Sequence, residues 1–243
     1  MKLIAVETSG RTGGVAAADG GAVVAVRSLG TDRRHAAGLL PAVDALLRDL
    51  GWKPSDLGAV AVSAGPGGFT GLRISVTFAK SLALATGAKV VAVPSLDVLA
   101  ENAPPEAGHV GVVLDARRGA IFSALYRRTE AGLVRVRPPA VAEPAALLSE
   151  AGRPLFLLGE GLSVAAHAAA LTAEGVTHEP PDRWNADPSV TARLALRMAA
   201  EGRFADADRL TPVYLRRPEA EETWIARYGP DSVIPVGTGE TPA

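Results

Sequence analysis

An order of hydrophobic periodicities that recurs in the second half limits the possible folds more than any other feature. Residues 2–8, 14–18 and 22–29 are short, β-branched-rich apolar runs separated by Gly-rich turns, which predicts antiparallel strands joined by hairpins. The period then changes: Leu39, Val43, Leu46 and Leu50 make one stripe at helical spacing, with Thr31 or Asp32 as N-cap and Gly51 as the stop. An Ala/Val strand at 59–63, a loop at 64–71, a helix from about 71 to 85, a strand at 89–93 and a helix opening at Pro94-Ser95 follow.

After the turn-rich stretch Asn102-Ala-Pro-Pro-Glu-Ala-Gly108, part of this order returns. Strands are predicted at 111–114, 121–127 and 133–137, a helix near 145–150, a strand at 155–158 and a helix near 162–171. Two successive β-β-β-α-β-α units predict an α/β chain of two lobes with a cleft between them, each lobe a mixed sheet with flanking helices. The first lobe is expected over residues 1–104 and the second over 105–220, with a helix near 189–202 able to pack back on the first lobe. Residues 212–216 read as an ordered extended segment, and 221–243 as a mobile tail, poor in apolar residues beyond about Tyr228.

The 243 residues and 48% hydrophobic content suffice for such lobes of roughly 100 residues each. A net charge of −1 supplies no overall field that would draw the chain onto nucleic acid or an anionic membrane, so any RNA contact must be local or made through a partner. The absence of cysteine excludes disulfides, thiolate nucleophiles and zinc-thiolate sites. Because Glu7 interrupts the first apolar run and no run nears the roughly 18 residues that span a bilayer, the expected setting is the cytoplasm, away from membranes.

The densest local signal is Gly65-Pro-Gly-Gly-Phe-Thr-Gly71, between a strand and a helix. Glycines there allow positive φ and close approach, and a helix starting at Thr70 or Gly71 aims free N–H groups at whatever sits in front of it. Gly65, Gly67, Gly68, Thr70 and Gly71, with Thr8 and Ser9 of the first hairpin, are therefore candidates for an anion or nucleotide loop. A tight strand-to-helix turn accounts for them equally well. The spacing fails the dinucleotide fingerprint, with Thr70 where its last Gly belongs, and fails the P-loop, because Leu72-Arg73 follows.

The next helix carries two apolar stripes: Leu72, Val76, Ala79 and Ala83 on one side, Ile74, Phe78, Leu82 and Ala85 on another. A surface helix needs one stripe; two predict burial on two sides, either inside the subunit or against a partner. With the face of Leu39, Val43 and Leu46, widened by Leu40 and Leu47, this gives a candidate partner interface of Leu39, Val43, Leu46, Leu72, Ile74, Val76, Phe78 and Leu82.

Chemistry-bearing patterns are sparse. His35, His109, His167 and His178 never fall at i, i+4, and there is no Gly-x-Ser-x-Gly elbow, so neither a metal site nor a nucleophile is predicted. Glu7 and Asp115 end corresponding strands of the two halves, where they would either face a Mg-nucleotide across the cleft or simply cap strand ends.

Val6-Glu7-Thr8-Ser9, His35-Ala-Ala-Gly-Leu-Leu-Pro41, Gly65-Pro-Gly-Gly-Phe-Thr-Gly-Leu-Arg73, Val93-Pro-Ser-Leu96, Asp115-Ala-Arg-Arg-Gly119 and Pro212-Val-Tyr-Leu-Arg216 occur in the order seen in the TsaB (YeaZ) family, which the chain resembles to about Ala220. The resemblance implies the actin/Hsp70/sugar-kinase-like two-lobe fold. It also implies a non-catalytic place in the machinery that puts threonylcarbamoyl on N6 of adenosine 37 in ANN-decoding tRNAs. There a catalytic paralogue, TsaD, holds the metal and pairs with the N-terminal lobe of TsaB; the ATPase TsaE joins them, and TsaC supplies threonylcarbamoyl-adenylate. On this reading the chain needs no cofactor of its own beyond weak nucleotide binding, ATP and metal belong to partner subunits, and the apolar face makes a homodimer when the paralogue is absent. The family usually has Asp where Glu7 stands. The competing class is an ATP-dependent small-molecule phosphotransferase of the same fold, with Gly159-Glu-Gly161 as its faint adenosine-binding candidate.

Overall fold

The first apolar runs form β1 (Leu3–Glu7), β2 (Gly14–Asp19) and β3 (Ala22–Ser28), followed by α1 (His35–Asp49), β4 (Ala59–Ser63), α2 (Phe69–Thr86), β5 (Lys89–Val93) and α3 (Ser95–Ala100). This is a computed structural model that describes residues 1–30, 35–178, 180–217 and 219–229. The strands order as β3-β2-β1-β4-β5, antiparallel on the hairpin side and parallel from β1 through β5. All of β1 and β4 is buried, as expected of central strands with helices on both faces, whereas the edge strand β3 is largely exposed.

The second half repeats the plan with β6 (His109–Asp115), β7 (Ile121–Thr129), β8 (Gly132–Ala142), α4 (Pro144–Glu150), β9 (Leu155–Leu158), α5 (Ala165–Ala170) and β10 (Val176–His178). Its sheet runs β10-β9-β6-β7-β8, so β6 takes the central place of β1 and β9 that of β4. The short β10 carries too few residues to be legible as a strand. The helix expected near 162–171 is divided, a 3-10 turn at Glu160–Ser163 preceding α5.

Two more helices complete the chain: α6 (Pro188–Ala200), N-capped by Asp187, and α7 (Glu219–Tyr228). Helix α6 crosses back to lie on β1 and β2, so that a segment from the second half closes the inner face of the first sheet. One core runs from Leu3 and Ala16 through Leu96, Val98 and Ala192 to Val112 and Tyr126; α3 and α6 are thus the layer between the two sheets. A second core lies under α1 and α2, and a third under α4 and α5. The stretch 102–108 is a packed turn, with Ala103 and Ala107 in the inner core.

Residues 221–228, placed in a tail by composition, continue as helix in α7, where Glu222 is paired with Arg216; residues 230–243 of that tail lie outside the described residues. The N-cap candidates Thr31 and Asp32 lie outside them as well. Among the described residues no helix is long and apolar enough to cross a membrane.

Candidate functional site

The glycine-rich loop leaves β4 and folds over the turn after β1. Thr8 Oγ1 donates to the Gly71 carbonyl at 2.8 Å, and Gly68 N donates to the Ser9 carbonyl at 2.7 Å. A Cβ at Gly71 would sit 1.8 Å from the Thr8 carbonyl oxygen, and one at Gly67 would sit 2.6 Å from that of Ser9. Gly65, at φ +111°, faces the backbone of Val213, whose N–H donates to Ala64. Backbone-on-backbone contact therefore accounts for the glycines at 65, 67 and 71, as the tight strand-to-helix turn requires. Thr70 stands apart, exposed near the start of α2.

Glu7 does not face a cleft. It is fully buried and accepts from Ser9 N at 2.8 Å, Ser9 Oγ at 2.6 Å, Thr191 Oγ1 at 3.0 Å and Ser63 Oγ, thereby tying β1, β4 and α6 together. Asp115 caps its own turn by accepting from Arg117 N at 2.8 Å. Of the two readings of this carboxylate pair, the structure supports the capping one.

The cavity between the lobes is lined by Ser9, Arg11, Leu114, Glu160, Trp184 and Asn185 and holds about 190 Å³. That is below the ~300 Å³ at which pockets for drug-sized ligands start. Arg11 Nε lies 3.3 Å from Glu160 among these lining residues. Gly159 and Gly161, the faint adenosine candidates, are explained by β6: a Cβ at Gly159 would lie 2.3 Å from the Val113 carbonyl oxygen, and one at Gly161 2.7 Å from Val113 Cγ1. Among the described residues no group of three His, Asp or Glu side chains could hold a metal ion.

A larger concavity lies elsewhere, an apolar groove of about 560 Å³ between α1 and α2, with Leu39, Leu40, Phe69, Arg73, Ile74 and Phe78 in its lining. Of the predicted interface, Leu39, Val43, Leu46, Leu72 and Val76 are buried in the subunit; their stripes hold the helices to the sheet. Leu39 doubles as the groove floor, while Ile74, Phe78 and Leu82 are half-buried on the outer flank. The candidate interface left out its most exposed members, although Leu40 widens the α1 face in the sequence reading. Leu40 is 65% exposed, and Phe69, Tyr214 and Arg73 form one cluster: the rings lie 5.2 Å apart, the Arg73 guanidinium lies 3.9 Å over Phe69, and Arg73 Nε donates to Tyr214 Oη at 3.0 Å. No periodicity could have paired Tyr214 with Arg73 across that sequence separation. Clusters of Tyr, Phe and Arg beside apolar pockets are typical of interface hot spots.

A family model described as "TsaD: tRNA N6-adenosine threonylcarbamoyltransferase" matches residues 29–224. A Bacillus subtilis protein named tRNA threonylcarbamoyladenosine biosynthesis protein TsaB is 34% identical over 230 residues, covering 93% of this chain and 98% of the relative. The chain belongs to the TsaB (YeaZ) family. The Escherichia coli TsaB is 34% identical over 135 residues, 55% of this chain and 58% of that protein. The solved structure of YeaZ from Pseudomonas aeruginosa superposes with a TM-score of 0.76 at 28% identity, covering 88% of this chain and 99% of that one. The fold is accordingly the actin/Hsp70/sugar-kinase-like one that the TsaB resemblance implied.

Most of the TsaB-like motifs meet in space. The turn at 6–9 packs under the glycine loop, Ser95 exchanges hydrogen bonds with Gly65, Val213 closes on Ala64, and Arg216 Nη1 donates to the carbonyls of Ala116 and Arg117. They form one packing hub, which fixes the start of α2 and with it the groove wall that carries Phe69 and Arg73.

Proposed function

We propose that this chain acts in tRNA threonylcarbamoyladenosine biosynthesis as a non-catalytic subunit that docks a TsaD-like paralogue in the groove between α1 and α2. A TsaE-like ATPase joins the pair, and threonylcarbamoyl transfer to N6 of adenosine 37 takes place on the paralogue. The observation that supports this reading is the open apolar groove with its preorganised Phe69–Arg73–Tyr214 edge. Its rigidity lowers the entropic cost of association. Family membership supplies the pathway. The phosphotransferase alternative has less support, because the interlobe cavity is small and Gly159 and Gly161 pack against β6.

The test is reconstitution. Purified paralogue, ATPase and threonylcarbamoyl-adenylate are mixed with tRNA, with and without this chain, and the modified nucleoside is read by mass spectrometry. Modification is expected only when the chain and the paralogue are both present. Modification by the chain without its paralogue, or by the paralogue at full rate without the chain, would overturn the assignment.

A further inference from the structure

The turn between β6 and β7 holds Arg117 at φ 67° and Arg118 at φ 52°, followed by Gly119 at φ 78°. L side chains rarely enter this region, and where bulky residues persist there the backbone is held for a purpose. The neighbouring Arg216 supplies the hold: its Nη1 donates to the Ala116 and Arg117 carbonyls, which leaves Nε and Nη2 as a fork pointing one way. That fork grips the Glu222 carboxylate of α7 at 2.6 and 2.9 Å, and Arg118 Nη1 reaches the same carboxylate at 3.0 Å. A preoriented guanidinium fork with a second arginine beside it is the geometry that recognises phosphate as readily as carboxylate.

We propose that Arg118 and Arg216 form a phosphate-binding site, filled in cis by Glu222, and that an RNA phosphodiester displaces the Glu222 carboxylate. The seat of α7 fits a displaceable plug. Among the described residues α7 packs broadly against no other helix or strand, and Trp224 Nε1 is buried there with no hydrogen-bond partner. Hydrogen bonding to Arg216 holds the Glu222 carboxyl below its ordinary range, so the plug is charged at neutral pH. RNA is favoured over an acidic protein segment by what surrounds the site. Arg117, 86% exposed, stands at the same turn as Arg118, and a run of arginines matches the repeated charge of a phosphodiester backbone. The inference rests on the proposed function for its choice of RNA.

The experiment is fluorescence anisotropy of a labelled anticodon stem-loop from an ANN-decoding tRNA, titrated with the full chain at several salt concentrations. Glu222→Gln is expected to tighten binding about fivefold, the scale of one partly screened ion pair, and to steepen the salt dependence by about one released counterion. Adding Arg118→Ala to Glu222→Gln should return both to the starting values. Glu222→Asp, too short to span both arginines, should lie between and serves if Glu222→Gln does not fold. Unchanged binding in Glu222→Gln, or a gain that Arg118→Ala leaves intact, would overturn the site. Tighter binding of ATP, inorganic phosphate or polyglutamate in place of the stem-loop would overturn the RNA assignment. A Glu222→Gln chain that still pairs with the paralogue but gains no RNA affinity refutes this inference alone and leaves the docking assignment standing.

Discussion

Replacing Gly71 by alanine places one methyl group where the Thr8 carbonyl oxygen already lies, 1.8 Å from the new carbon. Ordinary contact needs more than about 3.4 Å, so α2 and the turn after β1 must part by over ~1 Å, at about 1–3 kcal/mol for overpacking. The separation also breaks or lengthens the bonds from Thr8 Oγ1 to Gly71 and from Gly68 N to Ser9, about 1 kcal/mol each. Alanine's helix preference returns about 1 kcal/mol. The net loss is about 2–4 kcal/mol, a large share of the roughly 5–15 kcal/mol that holds a domain folded. Urea unfolding followed by far-UV circular dichroism should show a midpoint lowered by about 1 M. Gly10→Ala is the control from the same turn: its Cβ would meet nothing closer than 3.9 Å, and its midpoint should stay within error. An unchanged midpoint in Gly71→Ala would refute the packing account of the loop and revive the ligand-cradle one.

Other consequences concern the interior. Tyr126 is buried and donates to Asp97 at 2.7 Å; burial first, and then the Asp97 charge, push its pKa far above the ordinary tyrosine range. Unfolded tyrosine ionises near pH ~10 while the folded one stays protonated, so stability present below that pH falls as pH rises, by up to about 1.4 kcal/mol per unit. Tyr126→Phe should cost about 1–2 kcal/mol at neutral pH and remove that part of the alkaline loss; equal alkaline loss in both proteins, measured by urea melts at about pH 8 and about pH 11, would exclude Tyr126 as its source. Val76→Asp puts a carboxylate at a core position 5% exposed and should leave the chain unfolded or insoluble, whereas Phe78→Asp on the groove flank should remain folded by circular dichroism.

The two-lobe plan was legible because the hairpin strands and the helix stripes carry different periods, and because β1 and β4 read as continuous apolar runs. The glycine run marked a loop, yet glycine is demanded equally by a bound anion and by a neighbouring backbone. Only the Thr8 and Ser9 carbonyls beside Gly67 and Gly71 separate the two causes. Of the double stripe on α2 only one side is buried, and sequence could not say which side faced the sheet. Leu72 and Val76 proved to be the inner one and Ile74 and Phe78 the outer. Long-range partners had no sequence signal: Thr191 on Glu7, Tyr214 on Arg73 and Arg216 on Arg117 are brought together by the chain's return across both lobes.

The docking claim is tested most directly by size-exclusion chromatography with light scattering on this chain mixed with its TsaD-like paralogue, comparing wild type with Leu40→Asp and Phe78→Asp. Leu40 is 65% exposed in the groove and Phe78 half-buried on its flank against the core, so Leu40→Asp is the cleaner test and circular dichroism checks that Phe78→Asp still folds; a central apolar anchor contributes about 2 kcal/mol or more to an interface. The account predicts a heterodimer for the wild-type chain and separate, folded components for both variants. A heterodimer that persists unchanged in both would contradict it.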